Sequence, residues 1–187
     1  KVDSLKGKTI GMIGYGNQGR SQALNLNDSG FKVIVGLRRG SRSASTVLSD
    51  GLEHNNILHV FKKADILAIM IPDNKIDQML SKNIKNLKQG QTILVSHGYS
   101  VVYGKANLPS NVNIVMVAPS GGGNVVRSEY QKGFGVPALV AVQNDYSGNA
   151  IDIALSYAKG IGSSKAAVFL STFKEETEPD LLENKSY

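Results

Sequence analysis

The segment Thr9–Gly19, TIGMIGYGNQG, gives the strongest indication of the fold of this chain. It begins with a short apolar run, Thr9–Ile13, and continues with Gly14–Gly19, which have the spacing G-x-G-x-x-G. A strand that leads into this spacing and is followed directly by a helix is typical of a dinucleotide-binding turn. We therefore predict a strand over Thr9–Ile13 and a helix over Asn17–Ser29. Residues 14–19 are called the glycine-rich turn below.

The glycines of this turn suit contact with a cofactor. Gly14 permits a tight turn, Gly16 leaves room for the backbone to approach a pyrophosphate, and Gly19 lets the helix pack closely on the strand. The free N–H groups at the start of the helix face the phosphates, and the helix dipole favours their negative charge. A glycine-rich turn that binds nothing has the same pattern, but a second apolar strand at Phe31–Val35 favours the cofactor site.

Composition narrows the classes of function. The chain has 187 residues, a formal net charge of +6 and no cysteine. The lack of cysteine excludes disulfides and thiolate metal sites and fits a reducing, cytoplasmic compartment. No apolar run approaches the roughly 20 residues that span a bilayer, so we expect no membrane partner. The basic residues are spread along the chain with few aromatic residues among them, which argues against a nucleic-acid partner and suits an anionic ligand.

Strand-like and helix-like segments alternate along the chain. This alternation predicts an α/β fold, namely a Rossmann-type doubly wound, mostly parallel sheet with helices on both faces. The second strand is placed at Lys32–Gly36 within and just after the apolar run Phe31–Val35, and the strands that we predict after it are Ala64–Ile71, Thr92–Val95, Asn113–Val117, Ala138–Val142 and Lys165–Leu170. The further helices that we predict are Asn56–Lys63, Asp73–Leu87 and Ser147–Lys159, the last with Ala150, Ile151, Ala154, Leu155 and Ala158 on its inner face.

The loop after the second strand, residues 38–43 (RRGSRS), decides the predicted cofactor preference and is called the basic loop below. In NAD-binding folds an acidic residue about 20 residues beyond the glycines holds the ribose 2′-hydroxyl. Here arginines and serines occupy the loop instead. Guanidinium groups bind phosphate oxygens and hydroxyls donate to them, so this composition favours the 2′-phosphate of NADP. A solvated basic loop is the alternative.

Histidines and acidic residues are the candidates for catalysis and metal binding. His97 follows a predicted strand beside the expected nicotinamide site, where it would orient a substrate or move a proton, or else hydrogen-bond to backbone. His54 and His59 lie in a predicted helical or turn region, and we expect them at the surface. The acidic residues of the tail suit a hard cation such as Mg²⁺, although a run of charges is usually a solvated face. They are Glu175, Glu176, Glu178, Asp180 and Glu183.

Several blocks of sequence together indicate a family. They are IGYGNQG (13–19), VGLRRGS (35–41), IPD (71–73), SHG (96–98), MVAP (116–119), VRSEY (126–130), GVPALVAV (135–142), ALSYAKGIG (154–162) and TFKEETE (172–178). In this order they resemble the N-terminal half of ketol-acid reductoisomerase, the NADPH- and Mg²⁺-dependent enzyme of branched-chain amino acid synthesis. The resemblance runs from about Leu5 to Leu181.

The resemblance implies an NADPH site made from four segments. The glycine-rich turn would wrap the pyrophosphate, and the basic loop would hold the 2′-phosphate. The start of the helix after Pro72 would line the cofactor cleft, and a later glycine would pack near the nicotinamide. The residues implied are Gly14, Tyr15, Gly16, Asn17, Gln18 and Gly19 for the turn; Arg38, Ser41 and Ser43 for the loop; Asp73, Asn74, Lys75 and Ile76 for the cleft; and Gly123.

The resemblance also implies catalytic and metal-binding residues. His97 matches the family's active-site histidine, and Asp180 matches a carboxylate that bridges two Mg²⁺ ions. The family reaction on an acetohydroxy acid is an Mg²⁺-assisted alkyl shift followed by hydride transfer from NADPH, and the metal ions stabilise the alkoxide charge. The small-molecule partner implied is therefore an acetohydroxy acid.

Three departures from the family bear on catalysis. Ser120 stands where the family has a lysine, and residues 122–124, Gly-Gly-Asn, replace its Pro-Gly and His. Asn184 stands at a metal-ligand position, and Glu183 lies one residue earlier, about 100° away around a helix. The chain also ends at Tyr187, before the helical domain that in the family supplies further metal ligands, a substrate-binding serine and the dimer contacts.

Three hypotheses for the whole chain follow. We expect residues 1–171 to form the NADP-binding domain and residues 172–187 to form an acidic and polar tail that begins the metal-site segment, with the C-terminal helical domain absent. In the first hypothesis the chain is the N-terminal portion of an active enzyme, completed in a homo-oligomer or by a partner chain that supplies the missing domain. In the second it is a catalytically silent NADP-binding module that acts as a regulator or partner. An unrelated NADP-dependent dehydrogenase is a third hypothesis.

Overall fold

The apolar segment Thr9–Ile13 forms strand β1 in the interior of the sheet, as its sequence predicts. The structure, a computed structural model, describes residues 3–97 and 107–177. The other strands are β2 (Lys32–Leu37), β3 (Glu53–Asn56), β4 (Ile66–Ile69), β5 (Thr92–Val95), β6 (Asn113–Pro119), β7 (Ala138–Asn144) and β8 (Val168–Leu170). The helices are α1 (Asn17–Asp28), α2 (Ala44–Ser49), α3 (Ile57–Lys63), α4 (Asp73–Asn83), α5 (Gly123–Gln131), α6 (Ala150–Gly160) and α7 (Phe173–Thr177).

The strand order confirms the predicted doubly wound fold. Within the described residues, eight strands form one sheet in the order β3-β2-β1-β4-β5-β6-β7-β8. Strands β1 to β6 run parallel to one another. Strand β7 runs antiparallel to β6, and β8 runs parallel to β7. The chain moves outward from β1 to β3 and then returns to β4 on the other side of β1, which creates a reversal of strand order beside β1.

Two apolar cores lie on opposite faces of this sheet. Ile10 and Met12 of β1 pack into the first core and Ile13 packs into the second, because successive side chains of a strand point to opposite faces. Helices α1 and α6 contribute side chains to the first core, and α3 and α4 contribute to the second. Because both faces are covered, strand β4 has the sequence ILAI, with no polar residue.

Strand β3 corrects the sequence prediction for His54. The segment Glu53–Asn56, EHNN, lies at one end of the sheet and pairs with β2, although its polar sequence has no strand-like pattern. His54 lies opposite Val35 in this pair and is half-buried, so its placement in a helix or turn is wrong. His59 lies exposed on α3, as predicted.

Helix α5 and strand β8 also differ from the prediction. The segment Gly123–Gln131 forms α5, which packs against α1, where the sequence analysis predicts no helix. Its glycine-rich start conceals the helical pattern of the residues that follow. Strand β8 is shorter than predicted because Ser163–Lys165 forms a 3₁₀ turn before it.

Helix α6 begins later than predicted and has Ala150, Ala154 and Ala158 fully buried on its inner face, as predicted. It starts at Ala150 rather than Ser147, because the Asp145 carboxylate accepts the Ala150 backbone N–H and shapes a turn before the helix. Leu155 is 37% exposed, so its prediction as an inward residue is wrong. Tyr157 occupies the inner face instead and is fully buried.

The predicted tail begins with α7. Phe173 is 2% exposed and packs into the second core, so core contacts continue beyond residue 171. Residues from 178 onward lie outside the described part of the chain. No helix within residues 3–97 and 107–177 is long and apolar enough to cross a membrane.

Candidate cofactor-binding site

The parallel strands end at one edge of the sheet, and the predicted cofactor residues follow them there. Strand β1 ends before the glycine-rich turn, β2 before the basic loop and β4 shortly before α4. Strand β5 is followed by His97, and β6 by Ser120. Open α/β sheets bind ligands at this carboxyl edge, where the strand order reverses. In this sheet the reversal lies between β1 and β4.

The glycine-rich turn has two glycines that the fold requires and one that it does not. Gly14 has a φ of +96°, and a Cβ there would lie 2.7 Å from the Met70 carbonyl oxygen. A Cβ on Gly19 would lie 2.6 Å from the Gly14 carbonyl oxygen. Gly16 has an extended backbone at the N-cap of α1, and nothing lies within 4 Å of its Cβ position. The open space beside Gly16 fits a pyrophosphate at the start of α1.

A second glycine segment, Gly121–Gly123 at the start of α5, packs on this turn. A Cβ on Gly123 would collide with the Asn17 carbonyl group, so only glycine fits there. The Gln18 side chain donates from Nε2 to the carbonyl oxygen of Gly121 at 2.8 Å. The structure therefore brings Asn17, Gln18 and Gly123 together, and a protein contact occupies the Gln18 side chain.

Two buried residues that the sequence analysis does not identify continue this contact. Gln22 donates to Oε1 of Gln18 at 2.9 Å, and the Tyr157 hydroxyl donates to Oε1 of Gln22 at 2.6 Å. Gln22 and Tyr157 are fully buried, and burial raises the pKa of the Tyr157 hydroxyl, so the hydroxyl remains a donor. We call Tyr157, Gln22 and Gln18 the buried relay. The four-residue spacing of the two glutamines on α1 is a signal for their pairing, but nothing in the sequence indicates Tyr157.

Tyr15 lies in the turn, but its side chain points into the domain. It is 8% exposed and donates from its hydroxyl to Oδ2 of Asp50 at 2.6 Å. Arg20 donates to the same carboxylate from Nε at 2.8 Å and from Nη2 at 3.0 Å. Burial, followed by the effect of Asp50, raises the pKa of Tyr15, and the hydrogen bond from Arg20 holds the pKa of Asp50 below its usual range. A contact of Tyr15 with a pyrophosphate would therefore come from its main chain.

The basic loop is an exposed turn between β2 and α2. The Ser41 backbone N–H donates to the Arg38 carbonyl oxygen at 3.1 Å. Ser43, the N-cap residue of α2, donates its backbone N–H to the Ser41 hydroxyl at 3.2 Å. Arg38, Arg39 and Arg42 are exposed and form no ion pair with any described residue. Cations without carboxylate partners suit a phosphate ligand.

Helix α4 presents only part of the predicted cleft segment at the surface. It begins at Asp73, after β4 and Pro72. Asp73, Asn74 and Lys75 are exposed in its first turn. Ile76 is 3% exposed and packs into the second core, so its side chain does not lie on the cleft surface.

The predicted catalytic histidine and the altered lysine position lie at the same edge. His97 is exposed two residues after β5. Ser120 is exposed directly after β6, and its backbone N–H donates to the Pro137 carbonyl oxygen at 2.8 Å. Asn124 is exposed in the first turn of α5. A serine at position 120 supplies a neutral hydroxyl where a lysine would supply a positive charge.

The predicted metal ligands lie outside the described residues. Asp180 and Glu183 both belong to this part of the chain, and so does Asn184. Glu175 and Glu176 are described, and each accepts a hydrogen bond from the Ser171 hydroxyl, at 3.2 and 2.9 Å. Within residues 3–97 and 107–177, no group of three or more histidine, aspartate or glutamate side chains is arranged to hold a metal ion. The Mg²⁺ site stays a prediction.

Comparison with known proteins agrees with this geometry. The family profile described as "Acetohydroxy acid isomeroreductase, NADPH-binding domain" matches residues 4–167. The ketol-acid reductoisomerase (NADP(+)) of Methanocaldococcus jannaschii is 52% identical over 180 residues, which cover 96% of this chain and 54% of that protein. The ketol-acid reductoisomerase (NADP(+)) of Pyrobaculum aerophilum is 49% identical over 182 residues, which cover 97% of this chain and 56% of that protein.

A solved structure gives the same result. The NADH-preferring ketol-acid reductoisomerase from an uncultured archaeon superimposes with a TM-score of 0.91 at 36% identity, over 98% of this chain and 57% of that chain. This chain thus spans about half the length of the relatives it matches. The match over residues 4–167, with these identities, shows that the chain belongs to the acetohydroxy acid isomeroreductase (ketol-acid reductoisomerase) family and contains its NADPH-binding domain.

Proposed function

We propose that this chain binds NADPH along the carboxyl edge of its sheet, with the pyrophosphate at the glycine-rich turn. The observation that carries the proposal is the difference among the three glycines. Packing requires Gly14 and Gly19, whereas Gly16 has an ordinary backbone and open space where a side chain would stand. A ligand that approaches the backbone explains why this position has no side chain.

The 2′-phosphate is assigned to Arg38, Ser41 and Ser43 of the basic loop. The loop follows β2, the strand whose end carries the ribose-binding residue in this fold. It offers exposed guanidinium groups and the hydroxyls of two half-buried serines, and it has no carboxylate to accept a 2′-hydroxyl. One relative in the family is described as NADH-preferring, so the preference of this chain needs its own test.

The nicotinamide half of the cofactor is assigned to the region between α4 and the start of α5. Asp73 to Lys75 are exposed on one side, and Gly121–Gly123 packs against the turn on the other. When bound, NADPH supplies a hydride for reduction of a carbonyl carbon. His97 at the end of β5 would orient a substrate there or move a proton.

The activity proposed for the complete protein is that of a ketol-acid reductoisomerase, the isomerisation and reduction of an acetohydroxy acid. The family membership of residues 4–167 supports it. The remaining half of the relatives' length would come from further polypeptide or from a partner chain, in an assembly that could also hold a second copy of this chain. Asp180, with Glu183, would contribute to an Mg²⁺ site that stabilises alkoxide charge. The family's place in branched-chain amino acid synthesis supports a cytoplasmic location.

A second candidate function is a silent NADP-binding module that regulates or accompanies an active enzyme. The observation that favours it is Ser120, which is exposed at the end of β6, where the family has a lysine. Asn184 in place of a metal-binding glutamate points the same way. In this case the chain keeps its cofactor and lacks the charges that the chemistry needs.

The experiment that tests cofactor binding is a comparison of the wild-type chain with the double variant Arg38→Ala/Ser41→Ala. Hydrogen bonds to charged groups contribute about 1.5–3 kcal/mol each. Loss of two such bonds should raise the Kd of NADPH by at least about 100-fold and leave the Kd of NADH nearly unchanged. The control is Lys32→Ala, which removes an exposed positive charge from the other end of β2. If Lys32→Ala weakened NADPH binding by the same factor, the effect of the basic loop would be one of general positive charge and not of specific contact with the 2′-phosphate.

A further inference from the structure

Asp50 connects the basic loop to the glycine-rich turn. It follows α2, the short helix that begins directly after the basic loop at Ser43. The backbone N–H of Asp50 donates to the Thr46 carbonyl oxygen at 2.9 Å, which ties the residue to the helix. Val47 is fully buried and fixes α2 on the first core. The position of Asp50 and the position of the loop are therefore linked through the short helix α2.

The Asp50 carboxylate accepts three hydrogen bonds, and all come from residues of the turn or next to it. The Tyr15 hydroxyl donates at 2.6 Å and the Arg20 guanidinium donates at 2.8 and 3.0 Å. The Asp50 side chain is 13% exposed, and the Tyr15 residue is 8% exposed. A bidentate arginine contact fixes the orientation of a carboxylate as well as its position. These contacts hold the pyrophosphate part and the ribose part of the candidate site in one arrangement.

We propose that Asp50 is a positioning residue for cofactor preference: it holds the basic loop at the distance from the glycine-rich turn that a 2′-phosphate requires. The inference rests on the proposed NADPH site and assigns to it a residue that is not expected to touch the cofactor. Asp50 lies 12 residues after Arg38 in the sequence, and its carboxylate accepts hydrogen bonds from Tyr15 and Arg20.

The two cofactors should respond differently when this contact is lost. The basic loop contributes its full affinity for NADPH only if it is already ordered before the cofactor binds. A loop that must become ordered on binding loses part of that affinity as conformational entropy. NADH has no 2′-phosphate and depends on the glycine-rich turn, whose backbone is also fixed by the packing of Gly14 against Met70 and of Gly19 against Gly14. If Asp50 had a purely structural role, its substitution would weaken the binding of NADPH and NADH by the same factor, or would lower the stability of the protein alone.

The test compares the wild-type chain with Asp50→Asn and Tyr15→Phe. For each protein the Kd of NADPH, the Kd of NADH and the free energy of unfolding are measured. The control is Asp28→Asn, which breaks the 2.7 Å ion pair of Asp28 with Arg127 at the far end of α1. We expect Asp50→Asn to raise the Kd of NADPH about tenfold and that of NADH less than twofold. Tyr15→Phe should change the ratio of the Kd of NADPH to the Kd of NADH in the same direction by a smaller factor. Asp28→Asn should leave this ratio unchanged.

The outcomes separate this inference from the proposed function. An unchanged ratio of the two Kd values in Asp50→Asn, beside a wild type that prefers NADPH, would overturn the positioning role alone. A wild type that binds neither cofactor would overturn the proposed function and this inference with it. If Asp50→Asn fails to fold, Tyr15→Phe decides, because it removes one hydroxyl and leaves the ion pair with Arg20 in place.

Discussion

Gly14 and Gly16 lie two residues apart and have different physical reasons to be glycine. Gly14 is held at a φ of +96° against the Met70 carbonyl group, so a side chain there disturbs the fold. Gly16 has a φ of −76° and open space around its Cβ position, so a side chain there costs the fold little. This contrast predicts different effects for alanine substitutions at these two positions of the turn.

We predict that Gly16→Ala changes the free energy of unfolding by no more than about 0.5 kcal/mol. The same variant should weaken NADPH and NADH together, because both cofactors carry the pyrophosphate. Gly14→Ala should lower the free energy of unfolding by about 1–3 kcal/mol, through backbone strain. Denaturant unfolding and calorimetric titration of both variants measure these effects. Full retention of cofactor affinity in Gly16→Ala would place the pyrophosphate elsewhere.

Asp50 makes a prediction for the pH dependence of stability. Its pKa in the folded protein is lowered, chiefly by the hydrogen bond from Arg20. A lowered folded-state pKa contributes stability above the unfolded value, about 3.9, and this contribution is lost as the pH falls through the folded-state value. The difference in unfolding free energy between wild type and Asp50→Asn should therefore be constant above about pH 5 and should shrink in more acidic solution. A difference that grows on acidification would contradict the assigned ion pair.

At the scale of elements, the buried relay joins α6 to α1 and to the loop before α5. Tyr157→Phe removes the hydroxyl that donates to Gln22 and leaves a fully buried amide oxygen without that donor. We predict a loss of about 1–3 kcal/mol in unfolding free energy, together with weaker NADPH binding, because Gln18 is less well fixed. The variant and the wild type should be compared by denaturant unfolding and by calorimetry.

The matched control for the relay is Tyr130→Phe. The Tyr130 hydroxyl forms a hydrogen bond of 2.6 Å with Ser29, at the exposed end of α1. Tyr130→Phe removes the same chemical group as Tyr157→Phe but leaves no buried acceptor without a donor. Its effect on the free energy of unfolding should therefore be within about 0.5 kcal/mol. Equal effects of the two substitutions would mean that the relay has no special role.

The elements that the sequence predicts well are those whose local pattern agrees with their tertiary surroundings. Strands β1 and β5 have the predicted bounds because they are short apolar runs covered on both faces. Strand β3 is polar and is held only by its pairing with β2, so no local signal marks it. Helix α5 begins in a run of glycines that is set by contact with the distant Asn17.

The parts of the candidate site that are local in sequence could be predicted, and the parts that depend on distant residues could not. The glycine-rich turn and the basic loop are continuous in sequence, and the chemistry of their residues can be predicted directly. The partners of Tyr15 and Gln22 are 35 and 135 residues away, so the inward position of Tyr15 and the role of Tyr157 come only from the fold. Asp50 has no sequence signal, because its importance lies in where α2 places it.

At the scale of the whole molecule, the chain spans about half the length of its relatives. Cofactor binding belongs to this half, and the proposed chemistry depends on residues at its end and beyond it. In the proposed function, Ser120 and Asn184 are the positions at which an active enzyme and a silent module are expected to differ.

We predict that the double variant Ser120→Lys/Asn184→Glu raises turnover of 2-acetolactate in the complete assembly. The lysine and the carboxylate together should contribute on the order of 10³-fold in rate, through charge stabilisation in the transition state. The rate of NADPH oxidation with substrate measures this, and Ser164→Lys, an exposed serine on a 3₁₀ turn, is the control for added charge. Unaltered turnover in the double variant would mean that these two positions do not explain a silent chain.

The most direct measurement is a calorimetric titration of the purified chain with NADPH and, separately, with NADH. We expect tight binding of NADPH and much weaker binding of NADH, because the glycine-rich turn serves both cofactors and the basic loop serves only the first. Equal affinities would contradict the role of Arg38, Ser41 and Ser43, and binding of neither cofactor would contradict the proposed site as a whole.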